Sequence, residues 1–222
     1  MEKRKIIFGN YDTAIDGLWT LSSWALTDPE YQSNLVTIPG RDGPLDLSTA
    51  LTDGEPRYGG RTLSAVLESS EGTRLERKAR IDTMVNWLDG WRMDIVLPDD
   101  ADHYITGRVR VVRDYNDLAH GAVTVTAVCD PWRYNNNETA VALTAAAETR
   151  QAVLANGGRR TVVPVLTIEG TDAAVLLAFG SASWALGPGT YQLPDLVVSP
   201  GGATITYSGT GTLSFVYREA SL

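Results

Sequence analysis

Four side chains with metal-binding or proton-transfer chemistry stand together at Asp99, Asp100, Asp102 and His103, in LPDDADHYITG. Three carboxylates and an imidazole could ligate a hard cation. A calcium loop needs further oxygen donors and a glycine at set offsets, and Tyr104 and Ile105 stand where those belong. The stretch reads as a solvated turn between strands, and no metal ligands are assigned. His103 and His120 are the only histidines. Neither has an HxxxH spacing or a Gly-x-Ser-x-Gly neighbour, so no catalytic triad can be assembled. Cys129 is the only cysteine. It ends an apolar strand, where a thiol packs rather than attacks, and alone it forms no internal disulfide or cysteine-rich zinc site. Gly209-Thr210-Gly211-Thr212 has the look of a phosphate loop. It precedes a strand instead of a helix, so it reads as a tight hairpin. Asn137-Glu138-Thr139 spells a glycosylation sequon without a secretion signal to use it. Trp184 and Tyr191 could stack on a sugar, or serve as core. The expectation is a protein without catalytic residues, cofactor or metal.

The elements around these residues are mostly strands. Val123, Val125 and Ala127 alternate with Thr124, Thr126 and Val128, and Ile105, Val109 and Val111 oppose Tyr104, Arg108 and Arg110. This is the period-two pattern of half-buried strands. Asp114, Asn116, Asp117 and Gly121 supply the bend between them, and Pro131 is expected to end the second. Upstream, Ile6–Phe8, Leu18–Leu21, Leu35–Ile38 and Arg61–Glu68 read as strands. Ile38–Ser48 (IPGRDGPLDLS) reads as a Gly/Pro-rich loop that needs something to pack against, its own domain or a neighbouring subunit. One helix is predicted between Thr73 and Asp89, because Ile81, Met84, Val85 and Leu88 fall on one face and Gly90 follows. A strand over Trp91–Leu97 leads to Pro98 and the acidic turn.

Beyond residue 134 the turn formers Gly180, Gly187-Pro188-Gly189, Pro200-Gly201-Gly202 and Gly209 separate short strand-like runs. These runs are Val163–Ile168, Ala173–Phe179, Ser181–Leu186, Thr190–Leu193, Ala203–Tyr207 and Thr212–Tyr217. Pro164 places the first of them at a sheet edge. Strands at this spacing predict an antiparallel β-sandwich. Charge changes at the same point. Residues 1–134 hold 21 acidic and 15 basic side chains, whereas residues 135–222 hold 6 and 4. With Pro131 and the asparagines at 135–137, this divides the chain into domains 1–134 and 135–222. The fold class is therefore mainly β with one helix.

A formal charge of −8 on 222 residues argues against a nucleic-acid surface. The basic group Arg74, Arg77, Lys78 and Arg80 is expected to pair with Glu71, Glu76 and Asp82 or with a neighbouring subunit. No apolar run is long enough to cross a bilayer, and MEKRKIIFGNYD lacks the apolar core of a signal peptide, so a cytoplasmic start is expected.

Taken in order, IIFGNYDT, IPGRDGPLDLS, YGGRTL, WLDGW, YITGRVRV and CDPWRY resemble the distal tail protein of long, non-contractile-tailed bacteriophages. The resemblance continues through ANGGRRTVVPVLTIEG and LPDLVVSPGGATITYSGTGTLSFVYREASL and so spans nearly the whole chain. It implies a ring-forming N-terminal domain of β-sandwich or split-barrel type. A galectin-like C-terminal sandwich would follow it, and six copies would close into a ring. The implied partners are the tail tube protein, the tail-tip hub protein, and the tape measure and receptor-binding proteins, in a virion part assembled in the host cytoplasm. No specific nucleic-acid binding or membrane insertion is implied. A carbohydrate-binding sandwich is the alternative.

Overall fold

Thr73 begins the one helix among the described residues, α1 (Arg74–Leu88). The structure, a computed structural model, describes residues 4–52, 54–69, 71–113 and 121–222. The Thr73 hydroxyl accepts from the Glu76 amide at 3.3 Å, and the Glu76 carboxylate accepts from the Thr73 amide at 2.6 Å. This reciprocal pair satisfies two amides at the open end of the helix, and its bonds hold the Glu76 carboxyl below its usual pKa. Asp89 leaves helical geometry at the other end, and its carboxylate accepts from the Val111 amide at 2.8 Å. Ile81, Met84, Val85 and Leu88 are buried, as their spacing predicts.

The chain divides into two units, Met1–Arg133 and Tyr134–Leu222. The strands of the first unit are β1 (Ile7–Phe8), β2 (Tyr11–Asp12), β3 (Thr20–Leu26), β4 (Leu35–Val36), β5 (Leu45–Asp46), β6 (Arg61–Glu68), β7 (Arg92–Val96), β8 (His103–Arg113) and β9 (Val123–Asn135). Seven of them run in the order β2-β1-β7-β8-β9-β6-β3 in an eight-stranded sheet, whose eighth strand, β16 (Ala220–Ser221), pairs with β9, while β4 and β5 form a separate ribbon. Alternation decides what the sheet buries. Leu63, Ala65 and Leu67 of β6 face inward with Val123, Val125 and Ala127 of β9, and Ile105, Val109 and Val111 of β8 join the same core. Each such Leu, Ile or Val contributes about 1.5–3 kcal/mol by leaving water. Trp19 is fully buried among them, its indole N–H donating to the Tyr11 hydroxyl at 3.3 Å.

The second unit is built on two long strands, β12 (Val165–Phe179) and β15 (Ala203–Tyr217), joined by β10 (Thr139–Thr144), β11 (Arg150–Leu154), β13 (Ala182–Leu186) and β14 (Gly189–Gln192). β12 and β15 pair antiparallel along their lengths, with a register shift between Glu169 and Ala174. Gly170, Gly209 and Gly211 all have positive φ at that level, so both strands change direction together. On one side of the bend the strand order is β10-β15-β12-β14, and on the other it is β11-β15-β12-β13. One sheet thus supplies both layers of a sandwich. Leu166, Ile168, Leu213 and Phe215 from one layer share a core with Val175, Leu177, Ile205 and Tyr207 from the other.

Three sequence expectations are corrected here. β9 does not stop at Pro131 but continues to Asn135. Its ladder with β6 ends at Arg61 opposite Cys129, so on that side the missing amide of Pro131 costs no hydrogen bond. Pro164 does not mark an edge strand: it precedes β12, which is central, and it lies just outside the ladder. The Gly209–Thr212 stretch is not a hairpin. It is the bend inside β15, and Ala203–Tyr207 and Thr212–Tyr217 are halves of one strand. Val163–Ile168 and Ala173–Phe179 are likewise brought into one strand, starting at Val165. The predicted bend residues Asp114, Asn116 and Asp117 lie outside the described residues.

Candidate functional site

The residues with the most obvious chemistry are occupied by structural partners. Asp100 takes His103 Nδ1 at 2.7 Å and the Arg133 guanidinium at 3.2 Å. Asp99 pairs with Arg4 at 3.1 Å. Among the described residues no three His, Cys, Asp or Glu side chains are grouped to hold a metal. His120 lies outside the described residues. Cys129 is buried, and burial pushes its thiol up to about 11, which suppresses the thiolate a nucleophile needs. Trp184 and Tyr191 are partly buried against the core of the second unit, and the Tyr191 hydroxyl donates to the Gly187 carbonyl at 3.1 Å. Three of the four basic residues on α1 are also engaged. Lys78 pairs with Asp82 at 2.8 Å, Arg77 donates to the Gly72 carbonyl at 2.5 Å, and Arg80 donates to the Glu71 carbonyl. Asp82 is the anticipated partner; for Arg77 and Arg80 the acceptors are backbone oxygens, which the side-chain pattern could not indicate.

What stands open is an arm. β3 and β6 are neighbours in the sheet, yet residues 27–60 separate them, far more than a hairpin needs. The neck of this excursion is clamped. The Thr27 amide donates to the Thr62 carbonyl at 3.0 Å, and the Thr62 amide donates to the Thr27 hydroxyl at 2.8 Å. Further out, the Gln32 amide bonds to Arg57 and the Gly59 amide to Glu30. The Tyr31 ring meets Tyr58 edge-on at 6.2 Å, and Tyr58 meets Trp132 at 5.8 Å. Beyond the neck the chain forms the β4–β5 ribbon. Ser48 is fixed to it by the Asp46 carboxylate, and the Ser48 hydroxyl and amide in turn hold the Asp46 carboxyl below its usual pKa.

The arm has little core of its own. Leu35, Val36, Ile38 and Leu47 are exposed on it, and Leu51 is 93% exposed. Apolar side chains grouped in this way on an ordered projection mark a contact surface. The sequence loop Ile38–Ser48 is the outer part of this arm. The strand read at Leu35–Ile38 covers β4, but the extension back to Thr27 and forward to Gly60 went unread, because that stretch has no regular period. A second exposed apolar pair, Trp87 and Trp91, flanks Gly90 at the end of α1.

At the arm's root lies an unusual cation. Arg61, the first residue of β6, is buried, and its Nε and Nη1 have no hydrogen-bond partner. Its ion-pair partner Asp28 is 3.8 Å away and fully exposed. Burial and the nearby Arg133 both lower the Arg61 pKa.

No family model matches the sequence, and no curated protein matches it. Among solved structures, the Dit protein of SPP1 superposes with a TM-score of 0.67 over 98% of this chain and 99% of that one. The two chains share one fold. That protein is described as a paradigm of the hub adsorption apparatus in phages infecting Gram-positive bacteria. At 14% identity the likeness to Dit is carried by architecture, with both units included in the match. The fold is therefore the distal-tail-protein fold that the sequence resembles. No helix among the described residues is long and apolar enough to cross a membrane.

Proposed function

We propose that this chain is a structural, non-enzymatic component of a phage tail tip: a hub that joins the tail tube to the adsorption apparatus. The observation that carries the reading is the fold match to the SPP1 hub protein along nearly the full length of both chains. The engaged acidic and basic clusters and the suppressed Cys129 thiol agree with a structural role. In this reading six copies close into a ring, and the first unit supplies its contacts through the arm at residues 27–60. Ring closure needs a heterologous interface, in which two different patches meet, and a projecting apolar arm is suited to that geometry. The second unit carries the attachment points for receptor-binding components, while the ring meets the tube, the tail-tip hub protein and the tape measure. A sugar-binding role for the second unit is less well supported, because Trp184 and Tyr191 pack on its core.

Native mass spectrometry and negative-stain imaging of the purified protein test the proposal. Closed six-membered rings, single or stacked in pairs, are expected. Monomers and dimers alone at high concentration, together with no such ring in an assembled tail, would overturn it.

A further inference from the structure

The sheet of the first unit ends on an unguarded edge. β3 pairs with β6 on one side only. Sheet edges in soluble proteins are normally blunted by charge, proline, β-bulges or extreme shortness. β3 has seven residues, TLSSWAL, with no charge and no proline, and residues 17–27 around it carry no charge either; its one irregularity is a register shift between Leu21 and Ser23, beyond which Ser23–Leu26 pair regularly with β6. Its inner face is also incomplete. Trp24 stands opposite Ala65 and Leu26 opposite Leu63, both fully buried, yet Trp24 is 37% exposed and Leu26 only partly covered. The apolar layer thus runs past β6 and stops half covered. The opposite edge of the sheet is different. β2 has two residues, and the turn after it is closed by Asp12, which accepts from the amides of Ala14 and Ile15.

The same chain carries a second open strand of matching character. β4 pairs with β5 and with nothing else in the sheet order. Residues 33–40, SNLVTIPG, are uncharged, and Leu35, Val36 and Ile38 are exposed. β5 lacks this character, since Arg41, Asp42 and Asp46 surround it. The arm does not lie on the free edge of its own β3. It leaves from Thr27, directly after β3, and the neck bonds to Thr62 and Arg57 direct it onward along the β3–β6 ladder. The arm of another copy can lie there. Each copy carries a formal charge of −8, and contact through these two uncharged segments brings no like charges into close range.

We infer that the β4 segment, Leu35–Ile38, of one copy adds as a strand to the free edge of β3, Ser23–Leu26, in the next copy. Backbone hydrogen bonds would extend the sheet across the interface, and the arm's apolar side chains would complete the layer at Trp24. Edge and arm are different patches, so the contact is head-to-tail and repeats around a ring. The inference rests on the ring proposed above and names the residues that close it.

The single substitutions Ser23→Cys and Thr37→Cys, each treated with a short bis-maleimide, test it alongside native mass spectrometry. The buried, poorly ionised Cys129 stays silent in the folded protein. The mixture of the two variants should cross-link at least about tenfold more than either alone, and a double variant should give a ladder ending at the ring number. Rings that persist while the mixture fails to cross-link would overturn the strand addition and leave the ring intact. Cross-linking of Ser23→Cys to itself would overturn it too, in favour of a two-fold edge pairing. Absence of any assembly in both measurements would remove the inference and the ring together.

Discussion

Changing Gly209 to alanine tests whether the second unit is one sheet bent over on itself. Gly209 has φ of +122°, a region in which a side chain costs about 1–3 kcal/mol. A Cβ there would also overlap the Ala174 carbonyl oxygen and sit 3.0 Å from its carbon and 3.1 Å from Val175 Cα. Those atoms belong to β12, which is hydrogen-bonded to β15 at this level, so they cannot give way without breaking the ladder. Overpacking of that kind costs a further 1–3 kcal/mol or so. The expected loss is about 4 kcal/mol. For a domain of this size that lowers Tm by roughly 15–30 °C. Gly180→Ala is the control. Its φ is +58°, but nothing lies within 4 Å of the added carbon, so only about 1 kcal/mol of backbone strain is expected. Calorimetry on the full chain, following the transition of the second unit, separates the two. If Gly209→Ala melts within the range of Gly180→Ala, the close approach of β12 and β15 at the bend is wrong.

Three other expectations follow from named side chains. Arg61→Met should leave stability to urea unchanged or raise it by about 1 kcal/mol, because it removes a buried guanidinium with two unpartnered nitrogens; a loss above about 2 kcal/mol would mean Arg61 has an unseen partner. Cys129 should resist a thiol reagent at pH 8 in the native protein and react at once in denaturant, since a thiol titrating near 11 is thiolate in only about one molecule per thousand there. Its native proton is held more tightly than its unfolded one, so its contribution to stability is complete below about pH 9 and declines as pH rises towards about 11, and Cys129→Ala should lack this decline. Duplex DNA should bind more weakly than the roughly 10⁻⁴–10⁻⁶ M usual for non-specific association, because Lys78, Arg77 and Arg80 are engaged within the helix and its N-terminal loop. Micromolar, salt-sensitive binding lost in Arg74→Glu/Arg77→Glu, measured by fluorescence anisotropy, would refute that.

Where the pattern of side chains is read by one regular element, the sequence was legible. α1 declares itself through Ile81, Met84, Val85 and Leu88 and through Thr73, whose hydroxyl caps it. β6 matches its alternation from Arg61 to Glu68. Legibility failed where glycine has two meanings. Gly209 and Gly211 read as a hairpin between strands, yet their positive φ, with that of Gly170 opposite, lets a paired strand turn a corner without ending. Pro131 failed for a related reason: whether a missing amide matters depends on a neighbour strand, and that neighbour is 70 residues away in sequence at Arg61. β11 escaped notice because Arg150–Leu154 alternates only weakly between apolar and polar. Of the open surfaces, the outer arm was visible as a loop without a core. The edge at β3 was not, since being an edge is a property of sheet order and no residue type announces it.

The arrangement of β15 also sets a timetable. β10, β11 and β12 all take their long-range partners from Ala203–Tyr217, and Val165 must wait for Val216. During synthesis, the hairpins of β12 with β13 and β14 can form early, but neither layer can close until residues 203–217 have left the ribosome. The strands of the first unit named in its sheet order are by then already made. Translation therefore delivers seven strands of that sheet before the second unit has a core, and only the Ala220–Ser221 strand that pairs with β9 comes later. The second unit, dominated by pairings of high sequence separation, is the slower and later of the two to fold.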